Sequence, residues 1–283
     1  MPGKQKLLLI GCGDIPTRLL SKLNSADWNI QGLRRSKVEL AEVEMSYGDA
    51  ADSEIINALI QEQPDHVILT LTPDGRTAED YRNTYLKPAQ IAAKAVQKWA
   101  PNCHLIFVSS TSVYGQNSGV QVNEDSLTEP SSATAQVLLE AEKQIAQCGN
   151  PWSVIRFSGI YGPGRERLLH KVRSGNFTEP DSAGWTNRIH SEDCAGALAH
   201  LLENTNADTK AAGLLIATDS APVLNTEVEK WLAGEMGIEY PDFDKEEVLA
   251  KGKRCSNRKL LDSGFRFMYP SYREGYRELM RSL

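Results

Sequence analysis

The chain has 283 residues, of which 41% are hydrophobic and 24% charged, with a formal net charge of −6. That length supports a well-buried core, and the acidic balance gives no global attraction to nucleic acid or to an anionic membrane, so a small molecule is the expected partner. Five scattered cysteines without Cys-x-x-Cys spacing, and five histidines without a His-x-x-x-His pair, argue against a metal site or a disulfide framework. The same cysteine usage fits a reducing, cytoplasmic setting, and no apolar run approaches the ~20 residues of a membrane-crossing helix. The start, "MPGKQKLLLIG", reads as a first strand rather than a signal peptide.

Strand-like and helix-like segments alternate from that point on. The predicted strands are 6–10, 28–33, 43–47, 66–71, 104–109, 152–157 and 213–217. Predicted helices lie between them at 15–25, 53–61, 77–99 and 133–147, with a further one at 191–203. Runs such as "HVILTL" and "HLIFVSS" are apolar almost throughout, as strands are when both faces of a sheet are covered. The expectation is an α/β fold, a Rossmann-type doubly wound parallel sheet of about seven strands with a smaller C-terminal substrate lobe. Residues 1–165 form the expected dinucleotide-binding domain. Residues 166–283 form mainly the lobe, with elements at about 190–235 returning to the first domain.

The first loop, "KLLLIGCGDIP", carries the first chemical signal. A strand, a glycine-rich turn and a helix start together offer backbone N–H groups to an anion. Gly11 suits the tight turn and Gly13 the close approach of a phosphate, while Pro16 stands where a third glycine is usual. Asp14 is an awkward neighbour for a pyrophosphate. It either caps the helix or is neutralised by Arg18 one turn later. "IGCG" also opens the cofactor loop of many S-adenosylmethionine methyltransferases. The second strand ends "WNIQGLRRS", with Arg34 and Arg35 about twenty residues past the glycines, where an acid serves NAD and an arginine the extra phosphate of NADP. Guanidinium groups grip phosphate in pairs of hydrogen bonds. No acid stands there, which favours NADP over NAD and weakens the methyltransferase alternative.

From "LIFVSSTSVYG" (105–115) onward the sequence resembles the extended short-chain dehydrogenase/reductase family of sugar-nucleotide epimerases and dehydratases. "YGDAAD", "VIRFSGIYGPGR", "NRIHSEDCAGAL" and "KRCSNRKLLDSGFRFMYPSYREGY" extend the resemblance over almost the whole chain. It implies a nicotinamide cofactor, NADP favoured, held by Gly11, Gly13, Asp14, Ile15, Arg34, Arg35, Asp49, Thr72 and Ser109. It also implies a nucleotide-sugar or similar hydroxylated substrate, hydride transfer, no bound metal and no nucleic acid or membrane partner; homodimerisation stays open. In that family a Ser or Thr follows the fifth strand and a Tyr-x-x-x-Lys pair lies on the next helix, the lysine and cofactor lowering the tyrosine for work as a base. Ser110 takes the Ser/Thr position, with Thr111 and Tyr114 as further candidates. Taking Glu142 as the family's helix glutamate puts Thr134 at the tyrosine position and Leu138 at the lysine position. No Tyr-x-x-x-Lys occurs anywhere in the chain, so the resemblance is to an atypical branch. It leaves two readings: an enzyme with another acid/base, or a cofactor-binding sensor or regulator.

Overall fold

The computed structural model describes residues 3–204, 213–243 and 251–282. Seven strands form one sheet: β1 (Gln5–Ile10), β2 (Trp28–Arg34), β3 (Val43–Tyr47), β4 (His66–Leu69), β5 (His104–Ser110), β6 (Trp152–Phe157) and β7 (Gly213–Ala217). All pairings are parallel, in the order β7-β6-β5-β4-β1-β2-β3. The chain runs outward from β1 to β3 and then restarts on the other side of β1 with β4. The carboxyl ends of β1 and β4 therefore flank the crevice at which open parallel sheets take ligands.

Side chains alternate across the sheet with a period of two. Leu8, Ile10, Val67, Leu69, Leu105 and Phe107 face one core. It is covered by α2 (Ser53–Gln61), α4 (Lys87–Trp99) and α5 (Ala133–Ala146). Leu7, Leu9, Ile68, Ile106, Ile155 and Leu215 face the other, with residues of α1 (Asp14–Leu20) and α7 (Ser191–Glu203) packed there. Local chemistry sets the helix starts: the Asp52 carboxylate accepts the N–H groups of Glu54 and Ile55, and the Ser132 hydroxyl that of Ala135.

Three elements differ by more than a residue from those the pattern suggests. β4 stops at Leu69, after which the Thr70 N–H donates to Ile10 O at 2.9 Å and its hydroxyl to Gly11 O at 2.5 Å, tying the strand end to the glycine loop. The helix at 15–25 ends at Leu20, after which Asn24 Oδ1 accepts the Ala26 N–H and bends the chain away. The long helix at 77–99 is α3 (Ala78–Tyr81), one π-helical turn (Arg82–Leu86) and α4. Pro88, in the first turn of α4, has no N–H for the carbonyl of Thr84 and would press on it, and the wider turn relieves that contact.

A third cluster, containing Tyr161, Leu169, Val228, Leu232, Tyr272 and Tyr276, is the core of the C-terminal lobe. It draws on α6 (Arg167–Arg173), α8 (Asn225–Met236) and, beyond the short α9 (Arg258–Asp262), on α10 (Tyr272–Arg281). α7 lies against α1 and β7 sits beside β6, whereas α8, in the same 190–235 stretch, packs against α6 in the lobe.

α5 is pinned to the sheet by a buried polar network. Glu142 accepts the Ser109 hydroxyl at 2.6 Å and two N–H groups of Arg156, at 2.9 and 2.5 Å. The Arg156 guanidinium lies 4.7 Å above the Tyr114 ring. Glu142 and Arg156 are both buried, so removing either partner costs about 3–5 kcal/mol by leaving the other charge alone.

Candidate functional site

Two adjoining cavities, of about 400 and about 350 Å³, open over the carboxyl ends of β1, β2, β4 and β5. They share Gly13, Thr70, Leu71 and Thr72 and form two halves of one cleft. The first half brings together Gly11, Gly13, Arg34, Arg35, Asp49 and Thr72. The second holds Asp14, Ile15, Ser109, Ser110 and Ser112, again with Thr72. A larger cavity of about 500 Å³ lies at the opposite end of the sheet, against Lys6, Trp28 and Glu62. It is the weaker candidate, since its Lys4 and Lys6 ammonium groups already donate to backbone carbonyls at Ser25 and Glu62.

The two glycines of the loop differ in what they do. Gly11 has φ +94°, and a Cβ there would lie 2.5 Å from Thr70 O, so the fold itself requires glycine. Gly13 has φ −90°, which any residue adopts, and a Cβ there would meet nothing within 4 Å. Its missing side chain leaves open space in the cleft rather than relieving a protein contact. Between them Cys12 is buried, and burial, opposed by the Arg34 charge, pushes its thiol up to about 11, far from a nucleophile.

Asp14 is the first residue of α1 rather than its cap, because Gly13 holds the cap position and supplies no side chain. The Asp14 carboxylate accepts Arg18 Nε at 2.8 Å and Arg165 Nε at 3.3 Å. Arg18 also donates to Glu192 at 2.5 Å, tying α1 to α7. Arg34 Nη1 donates to Cys12 O at 3.1 Å and its Nε to Ser36 Oγ at 2.8 Å, so the end of β2 is bound to the glycine loop. Arg35 is exposed and pairs with Asp74 on the far rim through both of its terminal nitrogens. Asp49 Oδ1 accepts the Ala51 N–H at 2.8 Å.

The residues singled out around β5 separate. Ser110 lines the cleft, its Oγ accepting the Ser112 N–H at 3.1 Å. Ser109 is buried and donates to Glu142. Thr111 and Tyr114 turn into the core: the 3₁₀ turn Thr111–Val113 leaves Ser112 exposed and rotates its neighbours inward. Tyr114 Oη donates to Asn123 O at 2.8 Å, and burial pushes this hydroxyl up to about 12, so it does not reach the cleft as an acid. Thr134 sits in the first turn of α5 outside the cleft lining, its hydroxyl bonded to Ser132 Oγ at 3.1 Å. Leu138 does line the cleft, so an apolar side chain occupies the place assigned to the lysine.

The polar lining residues that were not singled out as site residues include Tyr81, Tyr85, Ser158 and Arg165. The two tyrosines come from α3 and the π turn, with rings 5.2 Å apart, and burial raises the Tyr85 hydroxyl. Their spacing of four was the visible signal, and Arg165 ends the glycine-rich "IYGPGR". Tyr161, by contrast, is buried and stacks on Tyr276 at 4.5 Å. The Arg188–Asp193 segment is used for joining parts. His190 Nδ1 accepts the Glu192 N–H at the start of α7, and the Asp193 carboxylate accepts the N–H groups of Met268 and Tyr269 at 2.7 and 3.0 Å.

Residues 5–224 match the family described as the RmlD substrate binding domain. Protein YeeZ of Escherichia coli K12 is 27% identical over 283 residues, covering 94% of this chain and 97% of that protein. A structure from Methylobacillus flagellatus, named for the NAD-dependent epimerase/dehydratase class, is 31% identical, with a TM-score of 0.83 and 98% of each chain covered. The UDP-glucuronic acid 4-epimerase of Bacillus cereus, solved in complex with NAD, shares the fold at a TM-score of 0.75 and 18% identity over 96% of each chain.

Proposed function

The chain belongs to the family of the RmlD substrate binding domain, within the extended short-chain dehydrogenases/reductases, and on that premise we propose that its cleft binds a nicotinamide dinucleotide, NADP in preference to NAD, beside a nucleotide-linked sugar or similar hydroxylated small molecule. The observation that carries this reading is Gly13: a glycine that neither backbone nor packing demands, opening into the space where a pyrophosphate would lie against the loop. Arg34, Arg35 and Ser36 at the end of β2, with no acid among them, suit the additional phosphate of NADP. Arg35 is now spent on Asp74 at the exposed rim, a pair weak enough for a dianionic phosphate to displace. The kinship with a nucleotide-sugar epimerase that holds NAD supports the substrate class.

When bound, the nicotinamide supplies a hydride donor or acceptor. This chain's own contribution is a wall of hydroxyls (Ser110, Ser112, Ser158, Tyr81 and Tyr85) that would orient a polyhydroxylated substrate by hydrogen bonds. Tyr85, desolvated, stays protonated and serves as a donor rather than a base. Catalysis then uses a non-standard acid/base. A second reading, a sensor that holds the dinucleotide without turning a substrate over, is favoured by one specific observation, the apolar Leu138 in the cleft wall.

The test is a panel of nucleotide sugars incubated with the protein and each of NADPH, NADP⁺, NADH and NAD⁺. Absorbance of the reduced nicotinamide and chromatography of the sugars are followed together, since epimerisation consumes no net cofactor. Product formation with any sugar is the expected result. Intact dinucleotide binding with silence across the panel selects the sensor instead.

A further inference from the structure

Among the residues lining the serine-rich half of the cleft, Arg165 is the one cation and Asp14 the one anion. They meet through a single contact, Arg165 Nε to Asp14 Oδ2 at 3.3 Å. The turn that carries Arg165 is firmly built. The Arg165 N–H donates to Gly162 O at 2.9 Å and the Gly164 N–H to Glu166 Oε1 at 2.6 Å. Gly162, at φ +140°, lies so close to the start of α7 that a Cβ there would be 2.3 Å from Ser191 Oγ. The backbone is thus fixed, while the side chain reaches from the "YGPGR" turn to the glycine loop.

Asp14 does not depend on this contact for its neutralisation. Arg18 Nε approaches it more closely, at 2.8 Å, and Arg18 is itself anchored by Glu192. Arg165 depends on Asp14 more heavily, since among the described residues its guanidinium makes no other hydrogen bond. A guanidinium carries five N–H donors in a planar fork that matches the oxygens of a phosphate. One long contact to a partly exposed carboxylate leaves most of that fork unused.

We propose that Arg165 is a phosphate-binding residue: Asp14 holds it over the cleft, and a phosphate of the incoming ligand takes the guanidinium over while Arg18 keeps Asp14 paired. The proposal rests on the reading of the cleft given above, in which both the dinucleotide and the nucleotide-linked substrate bring a pyrophosphate. It gives the acid in the glycine loop a purpose. Asp14 is a stand-in anion that keeps the arginine extended until phosphate arrives.

The test measures the dissociation constants of NADPH and, separately, of UDP by calorimetry at one fixed salt concentration. Wild type, Arg165→Gln, Asp14→Asn and the double variant are compared, and the partial exposure of both side chains lets every variant fold. Arg165→Gln should weaken at least one ligand roughly tenfold or more, with a similar factor in the Asp14→Asn background, because the lost partner is the ligand's phosphate. Whichever ligand weakens identifies the source of that phosphate. Unchanged binding of both ligands overturns the proposal, and so does a loss that vanishes once Asp14 is Asn, since Arg165 would then only offset Asp14. If wild type binds neither ligand, the reading of the cleft itself has failed and the proposal falls with it.

Discussion

Gly11 and Gly13 stand two positions apart and are glycines for different reasons. The first satisfies a positive φ and a close approach to Thr70 O; the second clears space in the cleft. Substitution should separate the two. Gly11→Ala is expected to cost about 1–3 kcal/mol in strain and contact, read as a lowered midpoint of thermal unfolding. Gly13→Val, which puts a poor capping residue at the start of α1, should cost no more than about 1 kcal/mol of stability yet abolish NADPH binding. A Gly13→Val protein that binds NADPH like wild type would remove the loop from the site. Placements that follow from short spacing were legible in the sequence: the glycine pair and the arginines ending β2 line one cavity, and Arg18 pairs with Asp14 one turn away. Arg165 was not, because it reaches Asp14 from 151 positions away. Tyr114 misled for the opposite reason. It neighbours Ser110 along the chain, but a single 3₁₀ turn carries it into the core.

The central strands β1, β4, β5 and β6 announced themselves as apolar runs buried on both faces, whereas the edge strand β3, VEMSY, has no buried residue. The long helix was broken by Pro88, visible in the sequence, though the π turn that accommodates it was not. At the other end of the sheet, β4 and β5 open with His66 and His104, their rings 5.8 Å apart. His104 Nε2 is 2.9 Å from Ser153 Oγ. Burial, with the neighbouring His66 adding to it, lowers His104 to about 4. Between pH 6.5 and about 4 the unfolded chain therefore takes up a proton at this position that the folded one refuses, so stability is lost as pH falls through that window. His104→Gln should make the slope of unfolding free energy against pH shallower there by up to about 1.4 kcal/mol per pH unit, measured by urea titration. Parallel slopes for wild type and variant would show that the imidazole is protonated in the folded state.

Over the whole molecule, the order of the sheet places one cleft at the switch between β1 and β4, and the lobe supplies its other wall through the turn bearing Arg165. The sheet was readable because its strands alternate with helices in sequence. The lobe was less so, because its strands are two or three residues long and pair across distance. Gly184–Thr186 is flanked by Val223–Leu224 and Lys251–Gly252, and Gln121–Val122 pairs with Arg254–Cys255. Such short pieces carry no period, and only the family-like order of motifs pointed to them. The catalytic question has the same root: the helix that should present a tyrosine and a lysine instead presents Leu138 to the cleft and Thr134 to Ser132. What we propose the cleft keeps is the means of holding a dinucleotide with an additional phosphate, at the glycine loop and the arginines that end β2. The most direct measurement is the dissociation constant of NADPH and of NADH for wild type and for the Arg34→Ala, Arg35→Ala double variant, followed by protein fluorescence. Tighter binding of NADPH by wild type, with that preference abolished in the double variant, is the expected result; equal affinities in wild type, no binding of either, or a preference that survives both substitutions would contradict it.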